Sequence, residues 1–253
     1  MYIDAHNHLE LYEDKITEAV DCINKNNILT LACSMDIQSY IKNKEISKKS
    51  NLIIPTFGIH PNNANNYVNS LEKLDEYIIE TPIIGEIGLD FHWVEDKDTY
   101  PNQIKVFEYF LKKAKEYDKV INVHTKGAEE KVLNLLKKYD VGNNTIIHWY
   151  SGDISYLKKL INMGCYFTVS VDIPYSNLTQ EIVKYIPIDK LLAETDGPTA
   201  LEWVNGKYAM PSYIKNVYND ISKVKNIDEN ELKIQIKSNF VKLVKDLQIT
   251  PLL

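Results

Sequence analysis

The residues of this 253-residue chain that could do chemistry are not scattered. Each of its six histidines, with several carboxylates, ends or closely follows a short apolar run. Tyr2–Ala5 leads to His6 and His8, Leu52–Gly58 to His60, and Ile83–Gly88, with Glu86 inside it, to Asp90 and His92. Val120–Val123 leads to His124, Thr145–Ile147 to His148, and Lys190–Ala193 to Glu194 and Asp196. His6 and His8 alternate, so in a strand both imidazoles face one side and can share a divalent ion. Neutral imidazole suits zinc, manganese or iron, and carboxylates extend the range toward manganese and magnesium. Four histidines with Glu86 and Asp196 supply donors for two ions if one carboxylate bridges.

Glu86 is the natural bridge. An unpaired carboxylate in so apolar a run is costly, and Gly85 and Gly88 on either side let other backbone come close. The alternative is a buried pair with a lysine. Asp196 stands in Ala193-Glu-Thr-Asp-Gly-Pro, where a strand-end carboxylate can hold a metal and take a proton from water; its alternative role is to cap the turn before Pro198. Glu194 shares the face of Asp196 and either orients a ligand or pairs with a lysine. Asp90 could bond a ligand. His60 precedes Pro61 in a loop, where it could touch substrate or protonate a leaving group. His92 carries the weakest case for a function. Lys126, two residues past His124, is the best-placed cation for an anionic substrate. Trp149 and Tyr150, with Trp93 near them, could stack a base or wall the pocket, and walls are the simpler reading.

The elements that must position these residues follow from the same pattern. Two more apolar runs, Ile28–Cys33 and Cys165–Val171, bring the total to eight, short and rich in Ile and Val as strands buried on both faces are. Helix-like stretches such as Lys15–Asn26, Leu71–Glu80, Pro101–Tyr117, Ala128–Tyr139 and Ile154–Met163 lie between them, with Gly164 at a helix stop. Eight such units in about 250 residues predict an α/β chain folded as one (β/α)8 barrel over residues 1–253, with Glu229–Leu247 as an added C-terminal helix. Active sites of this fold lie at the C-terminal strand ends, where the histidines fall. A doubly wound open sheet is the competing arrangement, but its Gly-x-Gly-x-x-Gly turn is absent.

Composition narrows the function classes. A hydrophobic share of 44% with 25% charged residues is that of a soluble globular protein. There is no signal-like start and no long apolar segment, so a cytoplasmic protein without membrane contact is expected. Cys22, Cys33 and Cys165 are too dispersed for a disulfide framework, and Cys33 and Cys165 sit in apolar runs. The net charge of −6 gives no bulk attraction to nucleic acid. All 29 basic residues are lysine, so no guanidinium can clamp a phosphate; lysine, backbone N–H or metal must do it.

The ordered motifs resemble the TatD family of metal-dependent deoxyribonucleases, a branch of the amidohydrolase-like barrels. They are Ile3-Asp-Ala-His-Asn-His, Gly58-Ile-His-Pro, Gly85-Glu-Ile-Gly-Leu-Asp, Val123-His-Thr-Lys, His148-Trp-Tyr-Ser-Gly and Glu194-Thr-Asp-Gly-Pro, with Asn239-Phe240 near the end. The resemblance implies two divalent ions and phosphodiester hydrolysis, often 3′-to-5′ on DNA; the family's activity points to magnesium or manganese and the four histidines to zinc or manganese, and a monomer acting on DNA ends or single strands is expected. It implies His6, His8 and Asp196 as ligands of the first ion, Glu86 as bridge, His124 and His148 at the second, and His60 against the scissile phosphate. In this reading Asp196, Glu86 and His60 are catalytic, and His60 and Lys126 bind substrate. The substrate-contacting positions depart from the family: Asn62 replaces a histidine, Lys126 an arginine and His92 an aromatic, and Gly206–Ser212 replaces a basic segment. Hydrolysis of an ester or amide bond, as in an aminoacyl-tRNA deacylase, is therefore the alternative. A barrel kept as a non-catalytic binding module fits poorly with an unbroken ligand set.

Overall fold

The computed structural model describes residues 1–245. Eight parallel strands alternate with helices: β1 Tyr2–Asn7, β2 Ile28–Cys33, β3 Ile53–Thr56, β4 Ile83–Asp90, β5 Val120–Lys126, β6 Thr145–Ile147, β7 Tyr166–Val169 and β8 Leu191–Ala193. The helices are α1 Ile16–Asn26, α2 Ile37–Ser47, α3 Ala64–Tyr67, α4 Asp75–Glu80, α5 Tyr100–Glu116, α6 Glu129–Tyr139, α7 Ile154–Asn162, α8 Asn177–Tyr185, α9 Ala200–Asn205, α10 Ile214–Lys225 and α11 Glu229–Val244. Every residue of β2 and of β4 is buried, as strands packed between a barrel interior and outer helices must be.

The strands form two ladders, β1-β2-β3 and β4 through β8. Phe57 just past β3 bridges Ile84 of β4, and Gly85 N–H donates to the Phe57 carbonyl at 2.8 Å. At the other junction the Asp196 N–H donates to the His6 carbonyl at 3.0 Å and the His8 N–H to the Gly197 carbonyl at 2.9 Å. The Asp4 carboxylate reinforces this seam by accepting from Thr195 N–H at 2.9 Å and Thr195 Oγ1 at 2.6 Å. Burial pushes the Asp4 carboxyl up to about 7, against the opposing pull of the Thr195 and Asn7 bonds. The sheet thus closes as a (β/α)8 barrel.

The expected elements are present with shifted ends. Strands β1, β4 and β5 run two or three residues further than their apolar runs, because barrel neighbours pair the backbone beneath the polar ligands as well. Leu71–Glu80 is not one helix: Leu71–Leu74 is a 3₁₀ turn that precedes α4. Lys15 belongs to a preceding 3₁₀ segment, Leu9–Lys15. The C-terminal helix is seen to Val244, and residues 246 and 247 of its expected span lie outside the described residues. It packs under the N-terminal end of β8, where the Asn239 amide donates to the carbonyls of Ile188 at 2.7 Å and Leu191 at 2.8 Å.

Candidate metal centre

Five of the six predicted donors lie near or just past the C-terminal ends of β1, β5, β6 and β8, the sixth, Glu86, lies within β4, and all are buried. Glu86 stands at their middle. Its Oε2 lies 3.5 Å from Nε2 of both His6 and His8. Its Oε1 lies 2.8 Å from His124 Nδ1 and 3.0 Å from His148 Nε2. Asp196 Oδ1 joins the first group, 3.4 Å from His8 Nε2 and 3.8 Å from His6 Nε2. Close packing of strands makes this possible: a Cβ at Gly85 would lie 2.6 Å from Asn122 Cβ, and one at Gly88 2.0 Å from the His124 carbonyl oxygen. Gly88 also holds a φ of +147°, which other residues rarely adopt.

Each imidazole is pinned from behind, and the acceptors assign its tautomer. His6 Nδ1 faces Asn122 Oδ1 at 3.0 Å, and the Asn122 amide nitrogen donates to the Ala5 carbonyl at 2.9 Å, so the amide cannot be turned. His8 Nδ1 donates to the Cys33 carbonyl at 3.1 Å. His124 Nε2 faces Asp90 Oδ2 at 3.0 Å, and His148 Nδ1 faces Glu194 Oε1 at 3.4 Å. In the neutral rings the unprotonated nitrogens are therefore those that turn toward Glu86. They approach in pairs, His6 to His8 at 3.2 Å and His124 to His148 at 3.3 Å. Lone pairs so close repel unless a cation lies between them. The edge of a tetrahedron with zinc–nitrogen bonds of about 2.0–2.1 Å is roughly 3.3 Å. The donor set fits divalent metal.

The electrostatics make the same demand. Burial would raise the Glu86 carboxyl, yet His60, His148, His6 and His124 hold it well below the usual carboxylate range. Burial likewise opposes ionisation of Asp196, and His8, His6 and His148 outweigh it. Burial disfavours charge on His8 and His124, but Asp196 and Glu10 offset this for His8, and Asp90 and Glu86 for His124. The centre collects positive charge.

The remaining candidates divide. His60 Nε2 lies 3.8 Å from Glu86 Oε1, and its Nδ1 accepts from Asn62 N–H at 3.2 Å, so its proton sits on the nitrogen that faces the centre. Asp90 accepts from the backbone N–H of His92 and Trp93 at 2.9 and 2.7 Å, which aims its other oxygen at His124. Glu194 orients His148 rather than pairing with a lysine, and its Oε2 is buried without a hydrogen-bond partner. Lys126 donates to the Trp149 carbonyl at 2.7 Å and to Ser151 Oγ at 2.9 Å. The His92 side chain is exposed and its ring meets Trp93, so five of the six histidines converge. Tyr150 is in the core, its hydroxyl on the Asp153 carbonyl. Cys33 and Cys165 are buried, as expected. Sequence reasoning missed Asn122 and Glu10. Each lies two residues from a histidine ligand candidate, His124 and His8, and that spacing was the available signal.

A sequence model described as TatD related DNase matches residues 3–245. An uncharacterized metal-dependent hydrolase of Methanocaldococcus jannaschii is 30% identical over 253 residues, covering 96% of this chain and 97% of that protein. The uncharacterized metal-dependent hydrolase YabD of Bacillus subtilis is 29% identical, covering 92% and 94%. Among solved structures, the TatD homologue YJJV from Escherichia coli K12 superposes with a TM-score of 0.87 at 20% identity, covering 96% and 97%. The phosphotriesterase homology protein from Escherichia coli, solved with phosphate in its active site, gives 0.68 at 12% identity, covering 96% and 98%. The chain belongs to the TatD-related DNase family and is a metal-dependent hydrolase on a (β/α)8 barrel.

Proposed function

We propose that the protein hydrolyses phosphodiester bonds, removing nucleotides from DNA ends or single strands as a cytoplasmic monomer, with two divalent ions in its centre. The observation that carries this reading is the split of Glu86, one oxygen toward His6 and His8 and the other toward His124 and His148. The family description and the phosphate held by the phosphotriesterase homology protein point to phosphorus chemistry. His6, His8, Glu86, His124, His148 and Asp196 would hold zinc, manganese or magnesium, which would supply positive charge for a phosphoryl oxygen and a lowered pKa for water.

The chain's own residues do the rest. Asp196, held ionised by its histidine neighbours, accepts the proton of the attacking water at its carboxylate. Burial lowers His60 to about 4, so it is neutral at pH 7 with its proton on Nε2, where it can donate to a phosphoryl or leaving oxygen. Lys126 has used two of its three N–H donors on the loop after β6, and the third is left for an anionic substrate.

The test is to offer the purified, metal-loaded protein single-stranded DNA alongside carboxylic ester and aminoacyl substrates. Release of mononucleotides is expected. Cleavage of esters alone would replace this reading with that of an ester hydrolase using the same centre.

A further inference from the structure

Beside the metal centre stand two indoles that hydrolysis itself does not require. Trp149 directly follows His148, and Trp203 lies on α9, just past Asp196 in the chain. Their rings are parallel within 6°, with centroids 6.5 Å apart. Directly opposed rings at that separation would leave a gap close to twice the about 3.4 Å spacing of stacked bases. Trp149 is held rigidly. Its backbone N–H donates to Thr168 Oγ1 at 3.0 Å, and its carbonyl accepts from Lys126. It keeps a φ of +35°, unusual for a bulky residue and of the kind retained where a site needs it. Trp203 is 73% exposed, although burying an indole against the core would be favourable. Lys126 Nζ lies over the Trp149 ring, 5.1 Å from its centroid, which sets a cation beside the pair.

We propose that Trp149 and Trp203 form a slot that sandwiches one nucleobase of a single-stranded chain, with Lys126 on its phosphate. The proposal deepens the nuclease reading and rests on it for the identity of the substrate. Stacking suits this chain for a physical reason: without arginine and with net charge −6, neither a guanidinium nor bulk positive charge adds to its affinity for a nucleic acid. Planar rings grip a base of any sequence, and the aromatic rim continues in Tyr175, 56% exposed and tied through its hydroxyl to the Asn205 amide on α9 at 2.7 Å.

The test uses the metal-loaded protein with Trp93→Phe, so that indole emission comes from the slot. Thymidine 5′-monophosphate should quench that emission, and deoxyribose 5-phosphate should not. Trp203→Ala should weaken the nucleotide's binding about 5- to 150-fold, the range for loss of one stacked base. It should equally erase the lower KM of an eight-nucleotide thymidine strand relative to an abasic strand of that length. Trp203→Phe should restore most of both, and unaltered melting temperatures would exclude a folding defect. If the thymidine strand is cleaved with the same KM as the abasic one and no quenching occurs, the slot is overturned and the nuclease reading stands. If quenching depends on Trp203 but no strand is cleaved, the slot stands and the nuclease reading falls. Absence of both overturns both.

Discussion

Asp90 Oδ2 lies 3.0 Å from Nε2 of His124, and the nitrogen left over, Nδ1, is the one 2.8 Å from Glu86. His124 therefore presents its inner nitrogen because Asp90 occupies its outer one. In Asp90→Asn the amide can donate to a bare Nε2, and the ring is free to take the other tautomer. Metal affinity should fall about 10- to 100-fold, as is typical when a ligand's supporting group is lost. Calorimetric titration with zinc or manganese checks this, and an unchanged affinity would remove Asp90 from the role.

Asp196→Asn removes the proton acceptor while keeping the side chain's size. Activity should drop about 10²- to 10⁴-fold with the far-ultraviolet circular dichroism retained. A variant that turns over at the full rate would sink the assignment of Asp196 as base.

Metal should also stabilise the fold, since the paired lone pairs and ionised carboxylates of the centre repel one another without it. A ligand at 100 times its Kd adds about 2.7 kcal/mol. For a chain of this size that corresponds to a rise in Tm of roughly 5–10 °C, reversed by chelation. Glu86→Gln should lose most of the rise. A melting temperature indifferent to chelator in metal-loaded wild type would contradict the arrangement.

Away from the centre, Asp75 accepts from Lys113 Nζ at 2.8 Å and from the Tyr109 hydroxyl. Burial alone would raise its carboxyl, but these two bonds hold it below its usual value. A carboxyl with a depressed folded pKa stabilises above its unfolded value of about 3.9, and this is lost as pH falls through the folded value. Asp75→Asn should thus lower Tm at pH 7, and the gap to wild type should narrow on acidification below about pH 4. A gap of constant size down to pH 2.5 would show that no such linkage exists.

Much of the centre was legible because strand alternation and strand ends are local properties. His6 and His8 share a face by spacing alone, and Glu86 announced itself as a charge in an apolar run. What a single sequence could not display was pairing across the barrel. Asn122 locks His6 from 116 positions away, and Trp203 meets Trp149 from 54, so neither relationship leaves a local trace. Element ends were misjudged for the same reason. β4 extends to Asp90 because Leu89 and Asp90 pair with Thr125 and Lys126, which no pattern within residues 83–90 records. The bonds of Lys126 to Trp149 and Ser151 depend on the path of a loop from the next strand.

The seam between Asp4 and Thr195 joins residues 191 positions apart and lies directly beneath His6, His8 and Asp196. During synthesis His8 leaves the ribosome 188 residues ahead of its carboxylate partner, Asp196. Over that stretch of synthesis the nascent chain carries a pair of imidazoles without their carboxylate, able to hold an ion only loosely. Full coordination arrives with the eighth strand, after most of the chain's loop-closure entropy has been spent. Tight metal retention is then a mark of a finished polypeptide, and products truncated before residue 191 are built without it.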